Sequence, residues 1–311
     1  MLNSFIRFNL FLLVTLFVHQ GAVAQTQGTP FETKEFTVRP GAIVKVKTVS
    51  GNIVVRGTDG NTVRVELFVK KGLGFFQRGQ QLDDASILIY QRDNEIVADV
   101  QPRRSDAWSS SSTQYHFVIS VPNRTSCQLS ATGGKIELYN VDGSHNLKTA
   151  GGNILIEGAS GEVKAYTTGG SIRGDDFRGL FFAQSVGGNI DLNSISGETR
   201  FRVSGGDLSL HRVHGTIIGE TMGGGIVGDI LSIVHGVDLT ATGGDIELSI
   251  PGISGMSLNI RGNRVAVNRL RNFNGEIKTN SIIGTLNGGG LPVKLRSAGG
   301  VVNLDVKQDR P

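Results

Sequence analysis

The sequence predicts an all-β fold, a single-stranded β-solenoid with turns of about 18 residues. Three observations predict it. A Gly-Gly pair recurs every 18 residues, at Gly133-Gly134, Gly151-Gly152, Gly169-Gly170, Gly187-Gly188, Gly205-Gly206 and Gly223-Gly224, then 20 residues on at Gly243-Gly244. The residues after each pair alternate apolar and polar. No stretch after residue 25 sustains a 3.6-residue period, which excludes helical and doubly wound folds.

Each part of the repeat has a physical reason. Two residues after the pair stands an apolar column: Ile136, Ile154, Ile172, Ile190, Leu208, Ile226 and Ile246. Two further on it reads Leu138, Ile156, Gly174, Leu192, Leu210, Gly228 and Leu248, with mostly polar residues between. This alternation is a strand with one face buried. A third column, Val141, Ala159, Phe177, Ile195 and Val213, leads to a single glycine: Gly143, Gly161, Gly179, Gly197 or Gly215. Glycine suits these corners because positive φ costs it little. A second short strand then buries residues such as Val163, Ala165 and Thr167. Stacked at the strand spacing of about 4.8 Å, like residues form ladders, and several turns together bury what one cannot.

Composition agrees. The 311 residues include Gly 44 and Pro 7 without a G-X-Y period, so the chain is not collagen, and its apolar alternation excludes a disordered linker. Hydrophobic residues make up 38% and aromatics 6%, which suits a long, narrow core. The formal charge of +4 is too small a bias to predict nucleic-acid binding.

Residues 1–24 read as a signal peptide: Arg7, an apolar run from Phe8 to Val18, then Ala22-Val23-Ala24. The run is short for a membrane span, no cysteine follows it to carry a lipid, and no membrane span is expected after signal removal. The expected location is outside the cytoplasm: periplasmic, cell-surface or secreted. Residues 25–32 read as a flexible leader and 33–121 as an N-terminal β region that opens the solenoid. A Ser-rich loop falls at 105–114. Residues 122–311 form the regular solenoid with a C-terminal cap. Between Gly243 and Gly299 lie 56 residues, so about two unmarked turns are expected there, with the tail 'KQDRP' over the last edge. Cys127 has no partner for an internal disulfide and reads as a small buried hydrophobe.

The opening 'VRPGAIVKVKTVSGNIVVRG', the 'FVISVP' strand before 'GGKIEL', the serial 'GGNI' turns and the closing 'NGGGLPVKLRSAGG' together resemble the bacterial putative-adhesin β-strand-repeat family, long filed as a domain of unknown function. The resemblance spans nearly all of the chain after the leader. It implies an exported β-solenoid with no assigned catalytic residue, so no site carries over.

Polysaccharide lyases and hydrolases need clustered carboxylates. Asp175 and Asp176 are adjacent on a strand and point to opposite faces unless a corner bends there, with Asp191 one turn on. A calcium β-roll fails because its aspartate column here reads Leu138, Ile156, Gly174 and Leu192. His211, His214 and His235 read as surface histidines rather than a zinc site. No catalytic residue, cofactor or metal ligand is assigned, and the chain reads as a non-enzyme. The outward positions of the second strand are Asn146, Lys164, Phe182, Arg200 and Ile218. Stacking places Phe182 between two cations. Lys164, Tyr166, Leu180, Phe182 and Arg200 therefore form the candidate binding strip, with an envelope protein or glycan as partner. The expected function is an adhesin-like binding or structural protein. A carbohydrate-active β-helix enzyme and a self-assembling structural element are the alternatives.

Overall fold

The computed structural model describes residues 28–72, 74–75, 78, 82, 85–103, 113–252, 254–268 and 270–307. The signal peptide, residues 25–27 of the leader, residues 105–112 of the Ser-rich loop and residues 308–311 of the tail lie outside the described residues.

The described chain is all-β, a 24-stranded sheet. Its opening strands are β1 (Glu32–Thr37), β2 (Ala42–Thr48), β3 (Ile53–Thr58), β4 (Thr62–Lys71), β5 (Gly74–Phe75), β6 (Ala85–Arg92), β7 (Glu95–Pro102) and β8 (Thr113–Pro122). The middle holds β9 (Thr125–Ala131), β10 (Ile136–Tyr139), β11 (Asp142–Thr149), β12 (Ile154–Glu157), β13 (Ser160–Thr167), β14 (Ile172–Ser185), β15 (Ile190–Val203), β16 (Leu208–Thr221) and β17 (Ile226–Ala241). The chain closes with β18 (Ile246–Pro251), β19 (Met256–Arg261), β20 (Arg264–Asn268), β21 (Phe273–Lys278), β22 (Ser281–Leu286), β23 (Leu291–Ser297) and β24 (Val301–Lys307). The first strand takes in Glu32, and β8 takes in Thr113 and Gln114, the last two residues of the expected loop.

Parallel pairing links positions one repeat apart. Ile136 lies opposite Ile154, Ile154 opposite Ile172, Ile172 opposite Ile190 and Ile190 opposite Leu208. All five are buried, as are Val141, Ala159, Phe177, Ile195 and Val213. Gly174 breaks the apolar column for a packing reason. A Cβ there would press on Leu192 and on the Phe181 ring, which packs edge-on against Phe177 with centroids 5.1 Å apart.

The second glycine of each pair is fixed by close approach. A Cβ on Gly152, Gly170 or Gly188 would run into the carbonyl of the second glycine one repeat earlier. Gly179, with φ of 131°, takes a left-handed corner against Gly161. Asp176 also has positive φ, 47°, so the chain does bend between Asp175 and Phe177.

Buried hydroxyls lock these corners. Thr167 donates to the Gly152 carbonyl at 2.9 Å and accepts from the Gly170 N–H at 3.1 Å. Thr149, Ser185 and Thr221 make the same two bonds in their own repeats. A second ladder runs outside the corner. The Ser171 N–H donates to Asn153, Asn189 to Ser171, Asp207 to Asn189 and Gly225 to Asp207, all at 2.8–3.1 Å.

The chain ends depart from sequence order. The expectation of two unmarked turns between Gly243 and Gly299 is corrected: β17 pairs directly with β23, and β18 with β24. The intervening β19 and β20 pair on the far sides of β23 and β24. The last strand, β24, is therefore interior, between β18 and β20. The same device recurs at the start. There β2 lies between β7 and β9, and β3 between β8 and β10. Antiparallel strands cover three of the outer strands: β6 on β7, β4 on β8 and β22 on β19.

Candidate functional site

The strip lies on the sheet face formed by β11, β13, β14, β15 and β16. Lys164 stands opposite Phe182, and Phe182 opposite Arg200. Lys164 Nζ is 5.9 Å from the Phe182 ring centroid and the Arg200 guanidinium carbon is 5.8 Å from it. One ring thus sits between two cations, each drawn to its electron-rich face. Tyr166 has Lys148 Nζ at 5.6 Å from its ring. Leu180, opposite Glu162 and Glu198, is 41% exposed. All five candidate residues therefore share one face.

The cations are held laterally. Lys164 meets Glu162 at 2.6 Å, Arg200 meets Glu198 at 2.6 Å, and Arg202 pairs with Glu220. The hydrogen bond that Lys164 donates to Glu162 holds its ammonium above the usual range. Such exposed pairs add little stability. Tyr166, Phe182, Arg200 and Ile218 line a shallow groove of about 420 Å³. It shares Tyr166 and Gln184 with a neighbouring depression of about 380 Å³. That depression shares Ser130 and Lys148 with a third, of about 350 Å³. The three depressions are neighbours on one face.

The other candidates separate. Asp175 accepts a hydrogen bond from Asn193 at 2.7 Å, and Asn193 accepts one from Arg212 at 2.9 Å. Asp191 stands instead between Arg173 and Ser209. His211 is exposed beside Ser209. His214 and His235 line one recess of about 600 Å³ with Glu198, an arrangement that a regular repeat hides. Register shifts between β16 and β17 push His235 outward. Among the described residues, no group of three His, Cys, Asp or Glu side chains is placed to hold a metal.

Two groups are interior: Cys127, buried as its sequence reading expects, and His145, which that reading did not single out. His145 is 1% exposed and lies opposite Cys127 and Val163. Burial pushes its imidazole down to about 4, against a weaker upward pull from its bond to the Val141 carbonyl and from Asp142. Burial also pushes the Cys127 thiol up to about 12, so it is inert rather than nucleophilic.

No family model matches the chain, and no curated protein matches it. Solved structures do. A putative adhesin from Bacteroides fragilis is 14% identical, covering 89% of this chain and 96% of its own, with a TM-score of 0.34. A putative adhesin from Parabacteroides merdae is 10% identical over 89% and 96%, with a TM-score of 0.33. A putative cell adhesion protein from Clostridium sporogenes is 11% identical over 89% and 99%, with a TM-score of 0.25. Among the described residues, no helix is long and apolar enough to cross a membrane.

Proposed function

We propose that the chain is an exported, non-enzymatic, adhesin-like β-solenoid that binds an envelope glycan on the flat face centred on Phe182. The winding is read from in-register parallel pairs and from glycines that admit no side chain at the corners. With 18 residues per turn, the Gly-Gly pair marks each turn. Export rests on the pattern of residues 1–24.

The observation that carries the binding reading is the Phe182 ring between Lys164 and Arg200 on an open sheet face. An aromatic plane stacks on the C–H face of a sugar ring. The cations and the carboxylates beside them meet its hydroxyls. The enzyme reading draws less support, since Asp175 is bonded to Asn193 and Asp191 lies elsewhere. The self-assembly reading also draws less, since antiparallel strands cover outer edges at both ends.

The test is a triple change of Lys164, Phe182 and Arg200 to Ala, checked first for an unchanged melt. Binding to glycans of the cell envelope should fall sharply on an array, because few aromatic and Arg residues usually dominate an interface. Retained glycan binding removes this strip. Capture of an envelope protein by the wild type, without glycan binding, replaces the glycan with a protein partner.

A further inference from the structure

We propose that a second, separate subsite, for an acidic sugar, lies at the opening end of the same face, across β7, β2, β9 and β11. The inference rests on the glycan-binding reading above and names a ligand class for it.

The register builds the subsite from segments far apart in sequence. One row crosses the four strands as Asp99, Lys47, Ser130 and Lys148. The next reads Val97, Lys45, Gln128 and Asn146. Four adjacent strands span about 14 Å, enough for a short oligosaccharide laid across them. These side chains line the recess of about 350 Å³.

Two features select the ligand. The first is unmet acceptors. Asp99 Oδ1 and Asn146 Oδ1 are buried with no hydrogen-bond partner among the described residues, while Asp99 Oδ2 takes a bond from Gln101 at 2.8 Å. Buried oxygens of this kind call for a donor. The second is spare positive charge. Lys45 is paired with Glu95 at 2.7 Å, but Lys47 and Lys148 have no carboxylate within ion-pair distance among the described residues. Lys148 leans over Tyr166 instead.

A ligand that satisfies both must carry a negative group for the ammoniums and hydroxyl donors for the two oxygens. A sugar carboxylic acid does. A neutral sugar leaves the lysines without an anion. A simple anion leaves the acceptors unmet and is repelled by Asp99.

The test is calorimetric titration of the purified exported chain with trigalacturonic acid, its methyl ester and inorganic phosphate. Trigalacturonate should bind, more weakly as salt rises. The ester and phosphate should each bind about tenfold more weakly or worse. Lys47→Gln should cost about tenfold. Asp99→Ala is the discriminating variant, with Asp99→Asn as a shape-preserving control for folding. A surface that merely collects polyanions binds tighter when an acid is removed. A sugar subsite binds weaker, because the hydroxyl acceptor is gone. Unchanged or tighter binding by Asp99→Ala overturns the proposal, as does equal affinity for the ester or no binding of trigalacturonate. The triple change at Lys164, Phe182 and Arg200 should leave trigalacturonate binding intact. If it abolishes that binding, the subsite is not separate and this inference falls while the strip stands. If trigalacturonate binding depends on Lys47 and Asp99 while the triple variant keeps its envelope glycan, the strip falls and the subsite stands.

Discussion

Replacing Thr167 by valine tests what holds one repeat on the next. The two side chains have nearly the same shape, so the change removes a hydroxyl and little else. That hydroxyl bridges the Gly152 carbonyl at 2.9 Å and the Gly170 N–H at 3.1 Å, inside a corner where Thr167 is 4% exposed. Both backbone groups lose a partner where water has little access. An unmet buried group costs about 1–3 kcal/mol, so the pair should cost about 2–4 kcal/mol. For a chain of this size that lowers the melting temperature by about 5–12 °C. The protein supplies its own converse. Val203 occupies the same column, opposite Ser185 and Thr221, without a hydroxyl. Val203→Thr should restore the two bonds, to the Gly188 carbonyl and from the Gly206 N–H, and stabilise by about 1 kcal/mol. Thermal and urea melts followed by circular dichroism read both variants. If Thr167→Val melts like wild type and Val203→Thr gains nothing, corner hydroxyls do not hold the stack.

Other predictions follow from the same geometry. Gly170→Ala should destabilise by about 3 kcal/mol or fail to fold, because its Cβ meets the Gly152 carbonyl. Gly169→Ala, one residue away, should be mild in the same melt, since its nearest neighbour is the Ala150 carbonyl at 3.5 Å. Burial holds His145 down to about 4 in the folded chain, against 6.5 for an ordinary imidazole. The unfolded state therefore binds the extra proton between these values. Stability should be full above about pH 6.5 and fall as pH drops, by about 3 kcal/mol at pH 4. Urea midpoints of wild type and His145→Met across that window check this. A difference between them that does not vary with pH would contradict it.

The middle of the fold was legible because its cause is local. From Gly151 to Gly224 the glycine pairs and the apolar columns answer to neighbours one repeat away, so periodicity reports them. Lys164, Phe182 and Arg200 came together for that reason. The ends were not legible. The strands β23 and β24 alternate as any other strand does, and alternation does not say which neighbour a strand pairs with. Pairing Leu239 with Leu295 skips a long excursion, and only the three-dimensional path determines that. The recess at Lys47, Asp99 and Asn146 was hidden by the same exchange, since β2 must slip between β7 and β9 to build it. Gly174 interrupts the apolar column because Phe181 and Leu192, from other positions, occupy the space of its side chain.

Repeats that stack in register at strand spacing underlie both the fold and the strip. The direct measurement is a dipolar spin-label distance between Gln128→Cys and Ile218→Cys, with the buried Cys127 left unlabelled. Pairing runs from Gln128 through Asn146, Lys164, Phe182 and Arg200 to Ile218, five steps of one strand each. The account predicts a narrow distribution centred at about 24 Å between backbones, widened only by the label arms. A broad distribution, or a centre beyond about 40 Å as in a chain that does not wind at strand spacing, would contradict it.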